Sequence, residues 1–172
     1  MRCSVYLASS LDGFIARADG AVDWLSRVEQ PGEDYGFASF FSSVDVLVMG
    51  RRSYDVVLGF GVWPYGKRRV IVLTHRPETP RHSEEFWQGD VRALHLRLAS
   101  EGARHVYVDG GQVLSQFLSA RLIDAVTVSI IPVLLGEGTR FTQPLGADVV
   151  LSLTGHRTFD SGLVQLTYAV AP

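Results

Sequence analysis

Cysteine occurs once, at Cys3, so neither a disulfide framework nor a cysteine-based zinc site can be built. Cys3 lies in an apolar, strand-like run, which suits buried packing better than nucleophilic attack. Asparagine is absent, and Lys67 is the sole lysine against fifteen arginines. Anions must therefore be held by arginine or by backbone N–H groups. The chain also lacks a basic excess. Its 16 Lys and Arg against 18 Asp and Glu give a net charge of −2, which argues against a nucleic-acid or membrane-surface binder. No apolar run approaches the roughly 20 residues that span a bilayer. The opening MRCSVYLASS starts on a strand pattern and lacks the cationic and long apolar segments of a signal peptide, so a cytoplasmic location is expected. The five histidines, His75, His82, His95, His105 and His156, show no ligand spacing, and no metal site is expected.

What is present is an ordinary globular balance of 47% apolar and 20% charged residues in a chain of 172. That length suits one domain over residues 1–172 with a sizeable core. Val5 to Ala8 reads as a short strand, with turns at Asp12-Gly13 and Asp19-Gly20 around Phe14-Ile15-Ala16. Phe37, Phe40, Phe41 and Val44 share one helical face, and the helix is expected to start near Glu33 or Asp34. Asp45 to Met49 and Arg69 to Leu73 are continuous apolar runs, the mark of strands covered on both faces. Gly50-Arg51-Arg52-Ser53 opens a short helix through about Leu58. Glu85 to Trp87 suggests a short strand, and Asp90 caps a helix that Gly102 ends. His105 to Val108 runs into Asp109-Gly110-Gly111 and a further helix through Phe117 and Leu118. Ile123 to Val133 is strand-like, and two alternating runs joined by Asp160-Ser161-Gly162 form a terminal hairpin. The expected class is α/β: a mostly parallel central sheet, helices on both faces and a C-terminal antiparallel hairpin.

In such sheets ligands bind at the carboxyl ends of the parallel strands. Three polar or glycine-rich turns fall there: Gly50 to Ser53, Thr74-His75-Arg76, and Asp109 to Gln112. The first and third open helices, whose free N–H groups and positive dipole attract anions. Arg51 and Arg52 add the geometry that suits a phosphate monoester. Together the three turns point to a dinucleotide, although no G-x-G-x-x-G is present.

Five segments resemble a known superfamily. Val48-Met49-Gly50-Arg51-Arg52-Ser53-Tyr54 is similar to the strand-to-helix segment of dihydrofolate reductases, and Val106 to Gly111 is similar to their later Gly-rich turn. Leu7-Ala8-Ser9-Ser10-Leu11-Asp12-Gly13, Arg121 to Asp124 and Pro132 to Gly138 resemble the reductase domain of bifunctional riboflavin-biosynthesis deaminase-reductases. The resemblance implies a three-layer dihydrofolate-reductase-like fold and an NADPH site. Gly50, Arg51, Arg52 and Ser53 would hold phosphates, including the 2′-phosphate. Thr74, His75 and Arg76 would flank the adenosine end. Gly110, Gly111, Gln112 and Val113 would receive the pyrophosphate, and Ala8, Ile15 and Ala16 would line the nicotinamide pocket. A cis bond in the Gly-rich turn is implied by the same analogy. The deaminase half is absent, since one cysteine cannot supply its zinc ligands.

The substrate side is less defined. Asp12 is the candidate for proton transfer or a substrate hydroxyl, with a plain Asp-Gly turn as the competing reading. Trp24 and Phe37 are substrate-side candidates, and a core role for Trp24 is equally open. Phe14, Tyr35, Phe40 and Trp63 could add stacking surface. Neither Glu29 nor Asp34 matches the acid that dihydrofolate reductases carry after this tryptophan.

The expected activity is NADPH-dependent hydride transfer to a small pterin- or pyrimidine-like heterocycle. The alternatives are a 5-amino-6-(5-phosphoribosylamino)uracil reductase of riboflavin biosynthesis and a non-catalytic nucleotide-binding or assembly module. The alternating strand Leu163 to Val170 lies near a sheet edge, where a homodimer is expected to form.

Overall fold

The computed structural model describes residues 1–171. Period-two alternation in its central strands divides the core into two layers. In β1 (Arg2–Ser10), β3 (Val46–Gly50), β4 (Arg69–Leu73) and β6 (His105–Asp109), one set of side chains enters a cluster with Leu94, Leu98, Leu114 and Phe117. These four project from helices α3 (Val91–Ser100) and α4 (Gly111–Ser119). The alternate set, Leu47, Met49, Val70, Val72 and Tyr107, packs with Val44, Phe40, Phe41 and Tyr54 from the segments of α1 (Phe37–Ser42) and α2 (Arg51–Leu58). Both faces are thus covered, which explains the uninterrupted apolar runs. Each fully buried side chain such as Phe117 contributes roughly 1.5–3 kcal/mol.

The remaining strands are β2 (Phe14–Ala16), β5 (Glu84–Trp87), β7 (Ala125–Ile131), β8 (Thr139–Arg140), β9 (Leu151–Thr158) and β10 (Val164–Val170). The main sheet has eight strands in the order β5-β4-β3-β6-β1-β7-β10-β9. Pairing is parallel from β5 through β7, and β10 and β9 add antiparallel as the terminal hairpin. This is the expected class. Consecutive strands run outwards from β3 to β5, while β6 lies on its other side, so the order reverses beside β3.

One local expectation is corrected. The helix begins at Phe37 rather than near Glu33, because Tyr35 (φ 57°) and Gly36 (φ 89°) both adopt left-handed backbone. Asp34 still serves the helix start, its carboxylate accepting the N–H groups of Gly36 and Ala38. Residues 139–140 pair with β2 in a small ladder that no apolar pattern announces. Among the described residues no helix is long and apolar enough to cross a membrane, and no cluster of metal-binding side chains occurs.

Candidate functional site

A cleft of about 1370 Å³ runs along the carboxyl ends of the parallel strands. It exceeds the roughly 300–1,000 Å³ of an ordinary small-molecule pocket, so a dinucleotide and a second ligand can share it.

Its floor is built where β6 turns into α4. Gly110 has φ 88°, and a β-carbon there would stand 2.7 Å from Ser53 Oγ. A β-carbon on Gly111 would stand 2.3 Å from the Arg140 carbonyl oxygen, since β8 packs across the helix start. Both glycines are therefore required by close approach, and Gly110 also by its backbone conformation. The first N–H groups of α4, at Gly111, Gln112 and Val113, lack intrahelical acceptors by geometry, and these residues line the cleft. All peptide bonds among the described residues are trans, so the cis bond implied by the resemblance is not found.

The second helix start, at Gly50 and Arg51, faces the same space, with Gly50 packed against Val113. Arg51 is already engaged there. Its Nε donates to Asp55 Oδ1 at 2.7 Å, one Nη donates to the Arg76 carbonyl, and the other pairs with the Glu78 carboxylate by charge alone at 3.3 Å. Arg52 is exposed and has no ion-pair or hydrogen-bond partner among the described residues. The Thr74–Arg76 loop forms the adjoining wall, where Thr74 Oγ1 accepts the Arg76 N–H at 3.0 Å and turns the chain.

Ala8, Ile15 and Ala16 line the cleft nearer β1. Beside them lies a carboxyl the sequence did not single out. Asp109 ends β6 and borders the cleft, and burial pushes its pKa above the usual aspartate value. Hydrogen bonds from Ser53, the Gly110 N–H and Tyr107 oppose that rise without cancelling it. The Tyr107 hydroxyl donates to the Tyr6 carbonyl at 2.8 Å and stands 3.5 Å from Asp109 Oδ1. Tyr65 and Tyr107 are both driven up, first by burial and then by the Asp109 charge. A cleft-facing acid that keeps its proton more readily than usual is suited to general acid chemistry.

The opposite wall is aromatic. Tyr6 and Phe37 meet edge-on at 5.8 Å, and Phe37 also meets Tyr107. Buried Gln165 braces this wall, its amide donating to the Tyr6 hydroxyl, the Tyr35 carbonyl and Ser129 Oγ.

All fourteen residues expected at the cofactor, from Ala8 to Val113, line this one cleft, as does Phe37. Asp12 and Trp24 do not. The Asp12 carboxylate accepts Ser10 Oγ at 2.6 Å and the backbone N–H groups of Leu135 and Gly136 at 3.1 and 2.7 Å. These bonds, that of Ser10 foremost, hold its pKa down to about 2. It is a loop clasp, and a carboxyl so acidic is a poor proton donor at neutral pH. Trp24 is 2% exposed in a core cluster with Val28, Ile131 and Leu163. Of the other proposed stacking aromatics, Tyr35 borders the cleft, while its ring packs on Phe159. Phe14, Phe40 and Trp63 lie outside it. Phe40 stacks behind Tyr6, and Trp63 stacks on His82. Cys3 is fully buried, its thiol pushed up to about 12 chiefly by burial, as packing rather than nucleophilic attack requires.

A sheet of this order, with its cleft at the strand ends, defines a dihydrofolate-reductase-like fold. Dihydrofolate reductase from Enterococcus faecalis, solved with NADP(H), superposes with a TM-score of 0.65 at 18% identity, covering 99% of this chain and 97% of that one. The chain belongs to the RibD C-terminal domain family, whose model matches residues 4–165. It is 34% identical to the uncharacterized Bacillus subtilis protein YwjB over 97% of both chains. A structure from Shewanella sp. PV-4, described provisionally as a riboflavin biosynthesis protein, matches with a TM-score of 0.94 and 33% identity over the full length of both. The Thermotoga maritima diaminohydroxyphosphoribosylaminopyrimidine deaminase/5-amino-6-(5-phosphoribosylamino)uracil reductase matches with a TM-score of 0.73 and 17% identity, covering 99% of this chain and 56% of that one. Family membership supports a reductase-type function.

Proposed function

We propose that the protein is an NADPH-dependent oxidoreductase that reduces a small heterocyclic substrate. The single observation that carries this reading is the convergence of two helix starts and the Thr74–Arg76 wall on one cleft. The donor set fits the cofactor. Gly111, Gln112 and Val113 offer backbone N–H groups to the pyrophosphate, and β-carbons at Gly110 and Gly111 have no room. Arg52 suits the 2′-phosphate, with Thr74, His75 and Arg76 along the adenosine. Ala8, Ile15 and Ala16 give the nicotinamide a wall without charge.

Bound NADPH supplies the hydride, so the protein's tasks are orientation, exclusion of water and handling of a proton. Tyr6 and Phe37 orient a flat ring on the far side, and Asp109 is the group placed to give a proton. Asp12 is not assigned that role. A homodimer in the cytoplasm completes the proposal.

A 5-amino-6-(5-phosphoribosylamino)uracil reductase is the second reading, favoured by the family to which the chain belongs. Consumption of NADPH with a panel of pteridines and aminopyrimidines tests the activity. Turnover of at least one ring compound is expected, and no oxidation with any of them contradicts hydride transfer.

A further inference from the structure

The loop that joins β4 to β5 is anchored at both ends. At the first, Thr74 Oγ1 accepts the Arg76 N–H at 3.0 Å. At the second, buried Glu84 accepts the N–H groups of Arg81 at 2.5 Å and His82 at 2.9 Å, and the Tyr54 hydroxyl at 2.7 Å. Tyr54 follows Arg51 by one turn of α2, so the loop and this arginine are fixed on one frame. Between the anchors, Pro77 and Pro80 flank Glu78 and Thr79, and their rings leave the backbone few conformations. The Glu78 carboxylate is thereby set against the Arg51 guanidinium.

That contact is incomplete. Arg51 Nε donates to Asp55 and one Nη to the Arg76 carbonyl, but the second Nη stands 3.3 Å from Glu78 Oε1 without a hydrogen bond. Glu78 Oε1 is itself buried and accepts no hydrogen bond among the described residues. Its Oε2 lies 4.0 Å from Arg81 Nη2. A buried acceptor left unfilled is costly, and only charge offsets that cost here. Arg51 lines the cleft and Glu78 does not. The second Nη therefore keeps its N–H groups for another acceptor, while Glu78 cancels the charge that would draw one.

We propose that Glu78 sets the cofactor preference of this cleft as a positioning residue, its carboxylate competing with the 2′-phosphate of NADPH for Arg51. The proposal rests on the reading of this end as the cofactor site. A phosphate monoester carries roughly two negative charges and three acceptor oxygens, which suit the arginine fork. To engage it, Arg51 must give up an attraction that the fold has already built. NADH, with a hydroxyl at that position, makes no such demand. Glu78 thus narrows the gap between the two cofactors and leaves Arg52 as the main source of discrimination.

The test is calorimetry with NADPH and NADH on the full chain, on Glu78→Gln, on Arg51→Ala and on the double variant. Glu78→Gln keeps the size of the side chain and removes its charge. It is expected to tighten NADPH roughly tenfold, the worth of a hydrogen bond between charged groups, and to leave NADH unchanged. In the Arg51→Ala background the same substitution is expected to change neither. Glu78→Ala, which leaves no amide to satisfy, is expected to repeat the pattern and replaces Glu78→Gln if that variant folds poorly. Unchanged or weaker NADPH binding overturns the proposal, as does an equal change in both cofactors, which a merely structural role would give. A gain that persists without Arg51 assigns the effect to plain repulsion of the phosphate and overturns it too. If neither cofactor binds the parent protein, the cofactor reading fails, and the proposal with it.

Discussion

Arg51 Nε and Asp55 Oδ1 stand 2.7 Å apart, one helical turn from each other, beside the start of α2. With Glu78 on its other side, this guanidinium is balanced by two carboxylates, whereas neighbouring Arg52 has no partner among the described residues. Discrimination for NADPH therefore falls mainly on Arg52. Arg52→Ala is expected to weaken NADPH by roughly ten- to a hundredfold, the value of charge-assisted hydrogen bonds, and to leave NADH almost unchanged. Arg51→Ala should weaken both less and lower stability slightly through loss of its contacts with residues 76 and 78. Equal loss of both cofactors in Arg52→Ala, measured by calorimetry, contradicts the assignment.

Asp109 gives a prediction about pH. Its pKa is raised by burial, so its acid form persists to higher pH than that of an ordinary aspartate. Turnover that draws on this proton is greatest on the acidic side and falls as pH rises through the raised value. The stability sign runs in the same direction: the ionised form is disfavoured in the fold, so the benefit is complete below the unfolded pKa and lost above the folded one. Asp109→Asn should therefore be at least as stable as the parent at neutral pH, while kcat drops on the order of 10²-fold and NADPH binding persists. An unchanged pH–rate profile in this variant removes Asp109 from proton transfer.

Asp12 should behave in the opposite way. Its pKa is lowered from 3.8 to about 2 by Ser10 and two backbone donors of the 135–136 loop. The stability it contributes is present above the unfolded value and is lost as pH falls through the folded one. Asp12→Ala is expected to lower Tm at neutral pH, with the difference from the parent shrinking towards pH 2, and to spare NADPH affinity. A loss of kcat with unchanged Tm would restore a catalytic role.

Most of the fold was legible in the sequence because its signals are local. β4 was read residue for residue from Arg69-Val70-Ile71-Val72-Leu73, and Asp90 caps α3 through the Arg92 and Ala93 N–H groups. What escaped depends on distant partners. β8 is two residues long and exists because β2 pairs with it. Asp12 attracted a catalytic reading from its place after the first strand, yet its acceptors are satisfied 123 and 124 residues away. Asp109 was read as part of a glycine turn, because its raised pKa comes from burial that the local sequence does not display.

β10, the strand expected near an edge, is paired on both sides by β7 and β9. The exposed edge is therefore β9, which carries Leu151 and Leu153 on one face, 41% and 56% exposed. Exposed strand edges are normally paired or blocked. A homodimer through this edge is expected, burying more than about 1,000 Å² in total. Sedimentation should show a dimer, and Leu153→Lys should release monomers. A clean monomer of the parent protein contradicts this assembly.

The most direct test of the account is a titration with NADPH followed by tryptophan fluorescence, because Trp87 lines the cleft whereas Trp24 and Trp63 do not. The account predicts saturable quenching at micromolar NADPH, lost in a Trp87→Phe variant that still binds by calorimetry. No quenching and no heat of binding at high micromolar NADPH would contradict it.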